Sequence, residues 1–218
     1  MDNLHTTRSK LLSYDDGVAV LSPHFENIVA GISEGWERWT KFEKESPRMR
    51  APLSTRTRAG FVHDHIIDSV KGLFEPHLGR GVRILEENGF PVFEFDGKIL
   101  LRFKKLDYNA RPRNIITDQQ YEWKYQQFEL TGVDCATVVT AGYQLNILGT
   151  EIKDIRIVCL YGEEAIWGFS VYDEIKKPEG ITLFPASAKP LPSAATVPHE
   201  EVPLTVRVRP INVAKEGS

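Results

Sequence analysis

The hydrophobic period of the chain changes once, near residue 80, and this change limits the folds that the chain can adopt. Before residue 80, apolar residues recur every three or four positions, which is typical of amphipathic helices. After it, apolar and polar residues alternate over short runs, which is typical of half-buried strands. Helices followed by closely spaced strands indicate an antiparallel sheet with helices on one face. We therefore predict an α+β fold, with two N-terminal helices packed on a largely antiparallel sheet of about six strands and a proline-rich C-terminal tail.

Two amphipathic helices are predicted in the first third of the chain. The first begins at Ser22-Pro23, an N-cap residue followed by proline at the first helical position, and ends near Ser46-Pro47. The second helix covers roughly residues 58–75 and is stopped by Pro76. The apolar face of the first helix carries Phe25, Ile28, Val29, Ile32, Trp36 and Trp39.

Six strands are predicted after residue 80 from alternating residues and the turns between them. In the hairpin at Asp96-Gly97, we prefer a three-residue turn that places Phe93 opposite Ile99, because a slip by one residue would bury charged side chains. A short helix at 117–128, with Thr117 as its N-cap, is predicted between the third and fourth strands. The strands cover residues 82–85, 91–95, 98–103, 136–147, 154–161 and 165–172.

The chain is predicted to hold one domain with two flanking segments. Residues 1–21 are expected to form an N-terminal arm. Residues 22–175 are expected to form a single α+β domain, with its helical part at 22–76 and its sheet part at 82–172. Seven of the 13 prolines lie in residues 176–218, which are therefore expected to be an extended or disordered tail.

Composition gives few functional signals but sets the expected compartment. The net charge of −3 over 218 residues is no overall signature of a nucleic-acid or membrane protein. The first residues lack the apolar region of a signal peptide, and no apolar run approaches the ~18 residues of a membrane span. The two cysteines, Cys135 and Cys159, belong to no metal-binding or redox motif. A cytoplasmic protein with no cofactor and no membrane contact is expected.

Trp36 and Trp39 lie on one stripe of the first predicted helix and offer a large apolar area. Core packing is one interpretation of such a stripe. The other is a docking face for a protein partner or for a second copy of the chain, because tryptophans often dominate the binding energy of interfaces. The helical spacing alone leaves both interpretations open.

Ten basic residues in two stretches form a candidate surface for nucleic acid or for an acidic partner. The stretch 47–58 has four arginines and no acidic residue, and the stretch 98–113 has six basic residues against Asp107 alone. If both stretches lie on one side of the protein, they can contact phosphates, and Tyr108 can stack on a base. The alternative is an ordinary solvated face of the sheet. The ten residues are Arg48, Arg50, Arg56, Arg58, Lys98, Arg102, Lys104, Lys105, Arg111 and Arg113.

Glu94, Asp96 and Lys104 are the candidate catalytic residues of an alternative interpretation, a nuclease of the PD-(D/E)xK type. Such enzymes hold Mg²⁺ or Mn²⁺ with carboxylates on strands that follow a helix, and a lysine assists the attacking water. Here Arg102 stands where the metal-binding acid before Lys104 is required. An intact active site is therefore not expected, and a nuclease-like fold that binds nucleic acid is the better form of this interpretation.

Three stretches of the chain together resemble a group of bacterial proteins. They are EGWERW at 34–39, FDGKILLRFKKLD at 95–107 and TAGYQLNILGTEIKDIRIVC at 140–159. The chain resembles uncharacterised proteins encoded beside genes for Xre-type helix-turn-helix proteins fused to an ImmA/IrrE-like metallopeptidase domain, in toxin–antitoxin or mobile-element modules. The resemblance covers roughly residues 25–172. It implies a non-enzymatic, antitoxin-like partner of a neighbouring gene product in a toxin–antitoxin or phage-defence module, and it implies no catalytic residue.

Overall fold

The structure is a computed structural model, and all the residues that it describes belong to one compact unit, Met1–Glu179. The predicted tail after residue 177, the basic residue Arg113 and the cysteine Cys135 lie outside the described residues. Within the described ranges, no helix combines the length and the apolar character needed to cross a lipid bilayer. The described ranges are 11–87, 89–112, 117–128 and 136–177.

Helices occupy most of the first part of the chain and recur once between strands and once after them. Hydroxyl groups of Ser13, Ser54 and Thr117 cap three of these helices by accepting a hydrogen bond from a backbone N–H three residues further on. The cap predicted at Thr117 is confirmed, although its helix ends at Lys124. The helices are α1 Tyr14–Leu21, α2 Phe25–Glu45, α3 Pro47–Arg50, α4 Thr55–Phe74, α5 Asp118–Lys124 and α6 Val171–Lys176, with 3-10 turns at Ser22–His24 and Glu75–His77.

The strands form one mixed sheet in which sequence order is also spatial order. Neighbouring strands are antiparallel except β3 and β4, which are parallel. The predicted α+β fold with six strands is therefore confirmed. The parallel pair requires a long crossover, which the segment containing α5 provides. The strands are β1 Val82–Glu87, β2 Phe90–Phe95, β3 Ile99–Lys105, β4 Thr137–Leu145, β5 Ile152–Tyr161 and β6 Glu164–Ser170.

The hairpin between β2 and β3 differs from the predicted register by two residues. Ile99 lies opposite Phe95 and not opposite Phe93. Asp96 and Gly97 both have left-handed backbone angles, with φ of 52° and 68°. The turn has the predicted three residues, but they are 96–98, one position further along the chain than expected. A shift of two keeps every side chain on its own face of the sheet. The predicted buried set is therefore correct: Phe93, Phe95, Ile99, Leu101 and Phe103 are all buried.

The N-terminal segment contributes to the core before residue 22. Residues 14–21, which we expected in an arm, form α1, and Leu21 is fully buried. The indole N–H of Trp167 in β6 donates a hydrogen bond of 2.9 Å to the carbonyl of Leu12. This segment therefore packs against the end of the sheet through the buried side chain of Leu21 and the hydrogen bond between Leu12 and Trp167.

Helices cover both faces of the sheet, and not one face as predicted. Helices α2 and α4 pack on the face that carries Phe93 and Phe103. On the opposite face, a smaller cluster under α5 contains Trp123 and Phe128 with Leu100 and its neighbours. The sheet is thus enclosed near β3 from two sides, and this enclosure creates the walls of the site described next.

Candidate functional site

A cleft opens where strands β2 and β3 stop pairing with each other. The two strands pair over three residues only, from Phe95 and Ile99 to Phe93 and Leu101, whereas β3 continues beside β4 as far as Lys105. The start of β2 and the end of β3 therefore border a cleft of about 1430 Å³. Its volume exceeds the roughly 300–1,000 Å³ of common small-molecule sites, so the cleft has room for a large ligand.

Helices α4 and α5 form two walls of the cleft. Arg56, Gly60 and His63 of α4 line it, and their spacing of four and three positions places them on one helix face. A Cβ atom added to Gly60 would meet nothing within 4 Å, so α4 leaves open space at this point. From the other side, α5 contributes Gln120 and Trp123.

The lining of the cleft is strongly basic. Apart from histidine, the charged side chains among the described lining residues come from five basic residues and one acidic residue. The acidic residue, Asp107, accepts hydrogen bonds through Oδ1 from the backbone N–H groups of Asn109, at 2.9 Å, and Arg111, at 3.0 Å. Its carboxylate thus closes the loop after β3. The five basic residues are Arg56, Arg102, Lys104, Lys105 and Lys153.

Arg102 is half-buried between the cleft and α5. Its Nη2 donates a hydrogen bond of 2.7 Å to Oε1 of Gln120, and its guanidinium lies 4.2 Å from the ring centre of Trp123. Its Nε is inaccessible to solvent and has no hydrogen-bond partner among the described residues. Burial lowers the pKa of Arg102 to about 9, which leaves the side chain charged at neutral pH. An anion that reached this guanidinium would compensate part of the cost of burying it.

Lys104 and His63 lie beside this guanidinium. Burial, and next the charge of Arg102, lower the pKa of Lys104 to about 8. Burial and then the charge of Lys104 lower the pKa of His63, with Arg102 as a smaller cause, while Asp64 acts in the opposite direction. Within the described ranges, Lys104 makes no ion pair, and its ammonium lies 5.7 Å from the ring centre of Phe90. Arg102 and Lys104 therefore lie close together, and among the described residues neither forms an ion pair with a carboxylate.

Two aromatic rings stand at the rim of the cleft. Tyr108 is 83% exposed and Phe90 is 49% exposed, and both line the opening. Large aromatic side chains at such exposures offer faces on which planar groups can stack. The cleft thus combines half-buried positive charge with exposed rings.

The tryptophans predicted as a docking face lie in the core. Trp36 is 7% exposed and Trp39 is 1% exposed, and the guanidinium of Arg58 lies over them at 5.0 and 5.3 Å. Arg58 also donates a hydrogen bond of 2.7 Å to the carbonyl of Gly149. The periodic stripe is explained by packing between α2, α4 and the sheet, so these rings are not available to a partner on the surface of the folded protein.

The other predicted basic residues are divided between internal contacts and the open surface. Arg50 pairs with Glu43 at 2.8 Å, and Arg111 donates a hydrogen bond of 2.7 Å to the carbonyl of Glu163. Arg48 and Lys98 are exposed, and neither lines the cleft. Of the ten predicted residues, four line the cleft: Arg56, Arg102, Lys104 and Lys105.

The candidate nuclease residues are not brought together. Glu94 is buried, and its carboxylate accepts hydrogen bonds from Arg83 and from the backbone N–H of Gly97, so it holds the hairpin turn. Glu94 lies opposite Leu100, and Lys104 lies four residues further along β3, roughly 13 Å away at the usual rise per residue. Asp96 occupies the turn itself. Among the described residues, no group of three or more His, Cys, Asp or Glu side chains can hold a metal ion.

Sequence reasoning missed four residues of the cleft. Gln120 and Trp123 lie in a helix whose existence was predicted. Which side of that helix faces the sheet was not predicted. Phe90 precedes the predicted second strand, and Lys153 comes from the start of β5, about 50 positions after the other lysines. Isolated residues of these types carry no sequence signal, since their proximity depends on the parallel crossover.

Comparison with models of known families, with curated proteins and with solved structures finds no match to the chain.

Proposed function

We propose that the cleft binds single-stranded nucleic acid and does not cut it. The observation that carries the proposal is the joint placement of half-buried cations and exposed aromatic rings in one opening. Proteins that bind single strands combine a positively charged groove for the backbone with aromatic side chains for the bases.

The charge of the cleft supports a phosphate ligand. The protein as a whole carries −3, yet five basic residues and one acid line this opening. Arg102 presents a planar guanidinium that matches phosphate oxygens, and Lys104 lies two residues along the same strand. A cleft lined by one sign of charge attracts the opposite charge more strongly than an open surface does.

The rim supports a single strand over a duplex. Tyr108 and Phe90 are exposed to solvent at the opening, so bases that are free of a complementary strand can stack on them. Arg102 lies further in, between β3 and α5. A flexible single strand can place a base at the rim and a phosphate at Arg102, whereas the stacked bases of a duplex are held inside it.

The side chains of the cleft favour binding over cleavage. Metal-dependent hydrolysis uses carboxylates to hold divalent ions, and Asp107 is the one carboxylate among the described lining residues. That carboxylate accepts hydrogen bonds from the loop backbone. The proposal therefore agrees with the non-cutting form of the PD-(D/E)xK interpretation, a nuclease-like protein that binds nucleic acid.

The salt dependence of binding tests the proposal. We expect a fluorescent single-stranded oligonucleotide of about 20 nucleotides to bind at 50 mM salt and to be released at higher salt. If all five lining cations contact phosphates, the plot of log affinity against log salt has a slope of about −3.5, from the ~0.7 ions released per contact. Fluorescence anisotropy measures this slope, and a protein that leaves anisotropy unchanged at 50 mM salt contradicts the proposal.

The affinity should also fall as the pH rises from 7 to 9. The pKa of Lys104 is about 8, so its ammonium is present at pH 7 and mostly lost at pH 9, and the loss of one charged contact costs about tenfold in affinity. Lys104→Arg keeps its charge over this range and should move the fall to higher pH. Stability should change with pH as well. The ordinary pKa of a lysine is 10.5, so between pH 8 and 10.5 the unfolded chain holds a proton at Lys104 that the folded chain lacks. The free energy of unfolding therefore rises with pH in this range. Identical pH profiles for the two proteins would argue against a role of Lys104.

A second candidate is the antitoxin-like role expected from the resemblance, exercised by contact with another protein. Ile147 and Leu148 favour it, since both are exposed at the loop between β4 and β5, beside the cleft. Exposed neighbouring aliphatic side chains suit a protein interface. Co-expression with the neighbouring gene product and size-exclusion chromatography test it: co-elution that Leu148→Asp weakens supports contact at this loop, and two independent peaks at micromolar concentration contradict it.

A further inference from the structure

Side chains close the inner end of the cleft at Arg102, where Arg102, Gln120 and Trp123 line both this cleft and a neighbouring cavity. Leu101 is the last residue of β3 that pairs with β2, and Arg102 follows it directly, so the pairing of the two strands closes the inner end. Beyond Arg102, a second cavity of about 240 Å³ lies under α5. The hydrogen bond from Arg102 to Gln120 and the contact of Arg102 with Trp123 separate the two spaces. A polymer that enters from the rim therefore meets these side chains and would have to displace them to continue.

Positive charge is concentrated at the closed end. Arg102 has a buried Nε with no partner among the described residues, and Lys104 and His63 lie close enough to influence one another electrostatically. Arg56 lies two helical turns from His63, roughly 10 Å along α4, toward the open side. Arg102 thus lies innermost, and Lys104 links it to the rim, because its ammonium lies 5.7 Å from the ring centre of Phe90. The outer set has the rings of Phe90 and Tyr108.

The ligand that matches two cations at a closed end is a doubly charged group at the end of a chain. A phosphodiester inside a strand carries one negative charge and continues on both sides. A terminal phosphomonoester carries about −1.5 to −2 at neutral pH, offers three acceptor oxygens and continues on one side only. Charge-assisted hydrogen bonds from the parts of Arg102 and Lys104 that line the cleft would hold such a group.

We propose that the closed end of the cleft is a subsite for the terminal phosphate of a single strand, held by Arg102 and Lys104. This inference rests on the proposed function. The protein then recognises the end of a nucleic acid and not an internal stretch, and the bases nearest to that end lie against Phe90 and Tyr108. A strand without a terminal phosphate still binds through the outer cations and rings, but more weakly.

Four oligonucleotides of one sequence test the inference, each with an internal fluorescent label: one with a 5′-phosphate, one with a 3′-phosphate, one with hydroxyl groups at both ends, and one closed into a circle. Since a charge-assisted hydrogen bond is worth at least about tenfold in affinity, we expect one phosphorylated form to bind roughly tenfold or more tightly than the hydroxyl form. The circle should bind no better than the hydroxyl form. Inorganic phosphate should compete for the added affinity.

Variants separate the subsite from the rest of the cleft. Arg102→Met and Lys104→Met should each remove most of the preference for the phosphorylated end, and Lys98→Met, which changes an exposed residue outside the cleft, should retain it. Thermal unfolding of each variant checks that the fold is kept. Equal binding of all four oligonucleotides, the circle included, overturns the inference and leaves the proposed function standing. Absence of binding by any of them overturns the proposed function itself.

Discussion

Replacing Gly35 by alanine is expected to destabilise the protein by about 2 to 3 kcal/mol, which is a large part of the stability of an ordinary domain. Gly35 lies on the face of α2 that packs against α4. A Cβ atom at this position would lie 2.6 Å from the backbone nitrogen of Ile66 and 2.8 Å from its Cα. These are backbone atoms inside a helix, so α4 must move as a whole to relieve the clash. Urea unfolding followed by tryptophan fluorescence measures the loss.

Gly72 provides the matched control for this substitution. It is also a helical glycine, in α4, but a Cβ atom added to it would meet nothing within 4 Å. Gly72→Ala should therefore stabilise the protein by up to about 1 kcal/mol, the usual gain of alanine over glycine in a helix. If the two substitutions have the same effect, the close approach of α2 and α4 is not present in solution.

Removing the two inner cations is expected to lower the affinity for a single strand by roughly a hundredfold. The double variant Arg102→Met/Lys104→Met loses the guanidinium contact with Trp123, but it keeps long apolar side chains, so much of the packing is retained. Each lost charged contact costs about tenfold or more. Anisotropy titrations at one fixed salt concentration measure the change, because affinity for nucleic acid has meaning only at a stated ionic strength.

The positions of the strands could be predicted from the sequence, but their directions could not. Alternation of apolar and polar residues shows which side chains face the core, and a register shift of two leaves that alternation unchanged. It carries no information on whether Ile99 and its strand run parallel or antiparallel to the strand at Thr137. The cleft exists because of that pairing and the short contact between β2 and β3, so it too could not be predicted.

The stripe of tryptophans shows a second limit. A helix that packs inside its own chain and a helix that packs on a partner have the same period. Gly31 and Gly35, four positions apart on α2, are the signal that could have decided between them. A Cβ on Gly31 would lie 3.3 Å from Cα of Val70, and small residues at this spacing allow two helices to approach closely.

Among the basic residues, the sequence identified the right stretches but not their partners. Arg50 and Arg58 belong to the same basic stretch, 47–58, as Arg56. In the structure, however, Arg50 pairs with the carboxylate of Glu43, and Arg58 donates a hydrogen bond to the carbonyl of Gly149. Such partners are distant in sequence or lie on neighbouring turns, and they become visible only when the chain is folded. Four of the ten predicted basic residues line the cleft, and Lys153 of β5, which was not predicted, joins them.

The most direct measurement is a side-by-side anisotropy titration of three proteins with one single-stranded oligonucleotide. The proteins are the wild type, Arg102→Met/Lys104→Met, and Arg48→Met/Lys98→Met, which removes the same charge from exposed positions outside the cleft. We predict that the control double variant binds within about threefold of the wild type, because screened surface charges contribute little, and that the cleft variant binds roughly a hundredfold more weakly. Equal losses in the two double variants would show that net charge, and not the cleft, attracts the strand.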